Sequence, residues 1–160
     1  LNYNILRLSN VYGVNLSKYK QNNRQVLSKV ILNALLKQEI RVFGSGNYYR
    51  DFIHISDVCE VINRIIIRND IKNEIFNVGS GKKLKLISIF KKIKNIIYNS
   101  YGFSVKIKKI KFKNDKIEKS DIRNFQASIS KLKRKLNWSP NKKFNLGLED
   151  LIRFIYEKKN

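Results

Sequence analysis

The stretch Tyr49-Arg50-Asp51-Phe52-Ile53-His54-Ile55-Ser56-Asp57-Val58-Cys59-Glu60-Val61-Ile62 changes its period partway along. Tyr49 to Ile55 alternates well enough for a short strand. Beyond it, Val58, Val61, Ile62, Ile65 and Ile66 fall at helical spacing and predict one apolar helix face. Ser56 stands where an N-cap belongs, and Asp57 and Glu60 put carboxylates in the first turn, where the positive helix end favours them. A strand that feeds directly into an amphipathic helix is a building unit of α/β and α+β proteins.

The flanking sequence repeats this alternation. Upstream, Ile5-Leu6-Arg7-Leu8 reads as a buried strand, Asn10 to Asn23 as a polar loop, and Arg24 to Gln38 as a helix. Its apolar stripe is Val26, Leu27, Val30, Ile31, Ala34 and Leu35. Arg41-Val42-Phe43 follows as a strand and Gly44-Ser45-Gly46-Asn47 as a turn. Downstream, Glu74 to Val78 is a strand closed by Gly79-Ser80-Gly81, and Leu86 to Tyr98 is a helix. Val105 to Lys108 alternates like a half-exposed strand. Ile129, Leu132 and Leu136 mark a short helix ended by Asn137, a residue that tolerates the left-handed position. Trp138 and Pro140 turn the chain into a last helix over about Leu146 to Lys158. The short apolar runs at Ile5 and Ile75 are expected to belong to a parallel sheet.

Composition narrows the class of protein. The 160 residues are 42% hydrophobic and 29% charged, a globular mixture long enough for one domain with a core. No apolar run reaches the roughly 18 residues needed to cross a bilayer. The single cysteine, Cys59, excludes an internal disulfide and suits a reducing cytoplasm. The net charge of +22 comes mainly from Lys, which with Asn and Ile is what an AT-rich genome writes onto solvated faces. Such a surface attracts anionic substrates and also binds nucleic acid without sequence preference. The chain has no Met, and its first residues read as a strand already under way. Both features lead to the expectation of a longer parent whose N-terminal part precedes Leu1.

Four segments then stand out in order. They are Leu6-Arg7-Leu8-Ser9-Asn10-Val11-Tyr12-Gly13, then Val42-Phe43-Gly44-Ser45-Gly46 leading to Arg50-Asp51-Phe52-Ile53-His54, then Phe76-Asn77-Val78-Gly79-Ser80-Gly81, and finally Ser130-Lys131-Leu132-Lys133 with Leu136-Asn137-Trp138-Ser139-Pro140. Together they resemble the NAD-dependent epimerase/dehydratase family, the extended short-chain dehydrogenases that act on nucleotide sugars. The resemblance implies an α/β fold in which residues 1–160 form the C-terminal part of a Rossmann-type enzyme, with a small mixed α/β substrate-binding subdomain. It implies a nucleotide-sugar substrate, NAD or NADP held mainly by an upstream part, a cytoplasmic location and a homodimeric parent.

By the same resemblance, Arg50 contacts the diphosphate, for which its planar fork of donors is suited, and Asn10 hydrogen-bonds the nucleotide sugar. Val42 and Phe43 match the strand against the base, Asp121 matches a nucleotide contact, and Leu8 and Ser9 match the strand end that meets the nicotinamide carboxamide. Each has a plainer alternative. The alternative for Arg50 is a surface arginine pairing with Asp51 or Asp57, and for Asn10 a turn former, while Val42 and Phe43 are equally plain core. His54, Cys59 and the paired glycines are read as structural. One departure from the pattern is Glu118, where relatives carry arginine, with Lys116 or Lys119 as substitute cations. Another is Asn137, where relatives usually carry Gly.

No catalytic or metal-binding residue is assigned. The family's chemistry uses a Gly-rich turn and a Tyr-x-x-x-Lys pair. No tyrosine here has a lysine four residues later, and no Gly-x-x-Gly-x-x-Gly occurs. The expectation is a fragment that supplies the nucleotide-sugar pocket and is inactive alone. The competing readings are a non-catalytic binding remnant and, motivated only by charge, a nucleic-acid-binding module.

Overall fold

The computed structural model describes residues 1–14, 25–111 and 124–159. Its strands, in chain order, are β1 Asn4–Leu8, β2 Asn10–Tyr12, β3 Glu39–Phe43, β4 Tyr49–Arg50, β5 Phe52–His54, β6 Glu74–Val78, β7 Leu84–Lys85 and β8 Lys106–Ile110. Its helices are α1 Val26–Lys37, α2 Ile55–Ile66, α3 Leu86–Tyr101, α4 Ser130–Leu136 and α5 Phe144–Glu157. The strands form four ladders: β1 with β6, β2 with β5 and β3 with β8 run parallel, and β4 with β7 antiparallel.

The expected parallel sheet is present, with Ile5 opposite Ile75 and Leu6 opposite Phe76. Helix α2 makes the crossover between β5 and β6, the connection that parallel strands require. The side chains sort into two cores. In the first, Leu27, Ile31 and Ala34 of α1 meet Ile40 and Val42 of β3, Ile93 and Ile97 of α3, and Leu148, Leu151 and Ile152 of α5. In the second, Phe76 and Val78 of β6 meet Val58 and Val61 of α2, Leu132 and Leu136 of α4, and Trp138. Phe52 enters the first core and its neighbour Ile53 the second, because successive strand residues point to opposite faces. Three residues of one short strand therefore join the two lobes.

Several local expectations are corrected. Asn10 to Tyr12 is a strand rather than loop, because β5 offers it a parallel partner. Residues 15–23 of that predicted loop, and Arg24 of the predicted helix after it, lie outside the described residues. Tyr49 to Ile55 is two strands in different ladders, broken at Asp51. Helix α2 begins at Ile55, and its cap is His54 rather than Ser56: Nδ1 of His54 accepts from the Ser56 N–H at 3.2 Å. Asp57 is drawn into the protein, at 3% exposure, and accepts from the Asn141 and Lys142 N–H groups at 3.0 and 3.3 Å. On the same helix Ile62 and Ile66 face outward, 40% and 73% exposed, so the buried stripe is narrower than the spacing suggests. Asn137 takes the expected left-handed conformation after α4, with φ 47°.

Candidate functional site

The site begins where one strand changes partner. Along β1 the backbone pairs with β6; along β2 it pairs with β5. The exchange occurs between Ser9, whose N–H donates to Val78 O at 2.9 Å, and Asn10, whose N–H donates to Asp51 O at 3.1 Å. A crevice opened at strand ends by a change of neighbour is where open α/β sheets place ligands.

Asp51 fills the fork. Its side chain is fully buried, and its charge is met by neutral donors. Oδ1 accepts from the Ser80 N–H at 2.8 Å and the Ser80 hydroxyl at 2.7 Å. Oδ2 accepts from the N–H groups of Gly81 and Ala127, each at 3.0 Å. Ser9 Oγ donates more weakly to Oδ1 at 3.4 Å. One carboxylate thus ties together the β1–β2 junction, the β6–β7 turn and the segment leading to α4. Gly79 belongs to the same arrangement, since a Cβ there would stand 2.5 Å from Ala127 Cβ and 2.9 Å from Asp51 Oδ2. Gly81 adopts φ +69°, which favours glycine.

The residues singled out from the sequence fall into three groups. Arg50, Asn10, Leu8 and Ser9 converge on the fork. Arg50 precedes Asp51 directly and donates from Nη1 to Tyr49 O at 3.0 Å. The carboxylates named as its alternative partners, Asp51 and Asp57, are taken up by backbone N–H groups. Asn10 holds Asp51 O through Nδ2 at 2.8 Å, so its amide is oriented at the fork. Leu8 is 50% exposed at the strand end. The second group lies on β3, where Phe43 is 56% exposed at the strand's end and Val42 is buried in the first core at 1%. The Val42 side chain therefore takes the core alternative. The third group, Asp121 with Lys116, Glu118 and Lys119, lies outside the described residues.

His54 and Tyr12 stand just behind the fork, edge to face with ring centroids 5.2 Å apart. Burial pushes the His54 pKa down, aided by the Lys142 charge. Burial also pushes the Tyr12 phenol well up, reinforced by Asp57 and Asp150, so the phenol stays protonated. The Tyr12 hydroxyl donates to Phe144 O at 3.4 Å. Both rings pack, Tyr12 also against Phe144. A separate cleft of about 350 Å³ lies between the first turn of α2 and the Asn141–Lys143 loop, and no residue predicted for the site lines it. Among the described residues no three His, Cys, Asp or Glu side chains gather to hold a metal, and no helix is long and apolar enough to cross a membrane.

Asp51 and Ser80 are the residues that the sequence reading passed over, Asp51 appearing there only as a possible partner for Arg50. The available signal was the break in alternation between Arg50 and Phe52. Ser9 commits its N–H to Val78 and its hydroxyl to Asp51, and no glycine-rich turn opens a helix at this edge.

Parallel strands with a helical crossover, a forked strand end and an appended mixed α/β lobe define a Rossmann-type extended short-chain dehydrogenase fold. Against solved structures, the chain is similar over its whole length to UDP-glucose 4-epimerase of Thermotoga maritima, determined with UDP-glucose. The TM-score is 0.77 at 26% identity, and 48% of that chain is covered. Residues 1–79 match the profile of the NAD dependent epimerase/dehydratase family. The chain belongs to this family. It is 33% identical over 132 residues to an uncharacterized protein of Methanocaldococcus jannaschii, covering 82% of this chain and 37% of that protein. It is 31% identical over 121 residues to UDP-glucuronate 4-epimerase of Thermodesulfobacterium geofontis, covering 76% of this chain and 34% of the relative. The chain thus spans little more than a third of the length of these two relatives.

Proposed function

We propose that this chain is the nucleotide-sugar-binding portion of an NAD- or NADP-dependent epimerase, dehydratase or reductase. The carrying observation is the change of strand partner: Asp51 ties three segments together there, with Arg50 and Asn10 on either side of it. Arg50 binds the diphosphate through its guanidinium, and Asn10 orients the nucleotide or sugar by hydrogen bonding. Phe43, at the end of β3, offers an exposed ring for the base. Asp121 is carried with them as a further nucleotide contact.

These 160 residues do not turn over the sugar alone, because they contain neither the Tyr-x-x-x-Lys pair nor the Gly-x-x-Gly-x-x-Gly turn. In this proposal NAD or NADP meets the chain only at Leu8 and Ser9, and the complete enzyme is a cytoplasmic homodimer. Isothermal titration of the chain with UDP-glucose and dTDP-glucose tests the reading. Binding of either, weakened at least about tenfold by Arg50→Ala, supports it. Wild-type chain that binds neither sugar nucleotide overturns it.

A further inference from the structure

The β6–β7 turn carries a cation whose position is fixed from both sides. Gly81 donates its N–H to Asp51 Oδ2 at 3.0 Å, and Leu84 is paired with Arg50. Lys82 lies between these two anchors, and its own N–H donates to Ser80 Oγ at 3.2 Å. The backbone at Lys82 is therefore held alongside Arg50 and Asp51.

Cross-strand partners share a face, so Leu84 and Arg50 lie on the same side of the ribbon. Lys82 stands two residues before Leu84 on that segment. Lys83 falls on the other side, with Nζ 5.6 Å over the Tyr49 ring. Asp51, the carboxylate that holds this turn, already accepts from Ser80, Gly81 and Ala127. Other lysines do find carboxylates: Lys131 and Lys135 pair with Glu74, and Lys142 with Asp150. Among the described residues Lys82 has no such ion pair.

We propose that Lys82 is a second cation for the ligand's diphosphate, forming with Arg50 a clamp across the β4–β7 ribbon. The inference rests on the nucleotide-sugar reading above and adds a residue to it. Two neighbouring phosphoryl groups call for two cations, and a flexible ammonium beside a planar guanidinium serves both without fixing a single geometry. Asp51 becomes the positioning residue for the pair, since it holds the chain next to each.

Titration of the full chain with UDP-glucose, UDP and uridine at low salt separates the possibilities. Lys82→Ala should weaken UDP and UDP-glucose about tenfold, with uridine unchanged. Lys82→Arg should restore most of the affinity, and Lys83→Ala should change it by less than about twofold. Added salt should shrink the Lys82→Ala effect. Wild-type affinity in Lys82→Ala, alongside lost binding in Arg50→Ala, overturns the clamp but leaves the nucleotide-sugar reading standing. Equal losses in Lys82→Ala and Lys83→Ala also overturn it, because general surface charge then suffices. Failure of the wild-type chain to bind any of the probes removes the underlying reading, and the clamp with it.

Discussion

The two lobes present different surfaces around their cores. The lobe of α1, β3, β8, α3 and α5 carries lysines on its exposed strand: Lys106, Lys108 and Lys109 alternate with half-buried Ile107 and Ile110 along β8. Lysine on an open strand discourages pairing with another chain. On the outer sheet face of the lobe of β1, β6, α2 and α4, the exposed Arg7 lies two residues along from an apolar pair. Ile5 and Ile75 sit opposite one another there, 43% and 41% exposed, and Ile66 of α2 is 73% exposed. Parallel strands are ordinarily covered on both faces. Here one face is packed by Phe76 and Val78 while the other shows apolar side chains to solvent. Similar apolar residues in adjacent positions thus carry very different energetic weight.

The largest test of that contrast uses two neighbours on β6. Phe76 is fully buried, and Phe76→Ala should cost about 3–5 kcal/mol in urea unfolding through lost burial and the cavity left behind. Ile75→Ala, one residue away on the exposed face, should cost no more than about 0.5–1 kcal/mol. Comparable losses would mean that the outer face is covered in solution.

A somewhat smaller effect tests how the lobes are joined. Asp51→Ala leaves the donors of Ser80, Gly81 and Ala127 without their acceptor and should cost about 2–3 kcal/mol. Trp138, the only tryptophan, lies in the sheet lobe and reports on it alone. Its fluorescence and far-UV circular dichroism should give one coincident unfolding transition in wild type. In Asp51→Ala the fluorescence midpoint should move to lower urea than the dichroism midpoint. Coincident transitions in the variant would show that Phe52 and Ile53 couple the lobes without help from the carboxylate.

Most of the elements were legible because their period is strong. The β1 and β6 strands, α1 and the α4 segment ending at Asn137 lie within a few residues of where the spacing put them. The site was legible only as separate motifs. Arg50 and Asn10 stand in separate motifs, and nothing local reveals that Asp51 links residues 29 and 76 positions away. Long-range satisfaction of a buried carboxylate has no sequence period. The same blindness moved the α2 cap: Ser56 has the preferred chemistry, yet packing against Tyr12 holds His54 where its Nδ1 takes the role. Val42 and Phe43 alternate as a strand should, and only the fold decides which of the two side chains is buried.

The smallest effects are electrostatic and separate by pH. His54 titrates lower in the folded protein than its ordinary 6.5, chiefly through burial. The unfolded chain therefore binds the proton more tightly, so the His54 contribution is complete above 6.5 and is lost as pH falls through and below that value. Asn also caps helices but does not titrate, so His54→Asn should flatten the fall in urea midpoint between about pH 7 and 5.5. Glu74, held by Lys131 and Lys135, is pulled from 4.5 down to about 2. Its contribution is present above 4.5 and is lost as pH falls toward about 2. Glu74→Gln should therefore remove a shallow decline below pH 4.5 and leave the His54 window untouched. A Glu74→Gln profile that changes above pH 5.5 would place the two groups in one network, contrary to their separation between the seam of the lobes and the outer rim of the sheet.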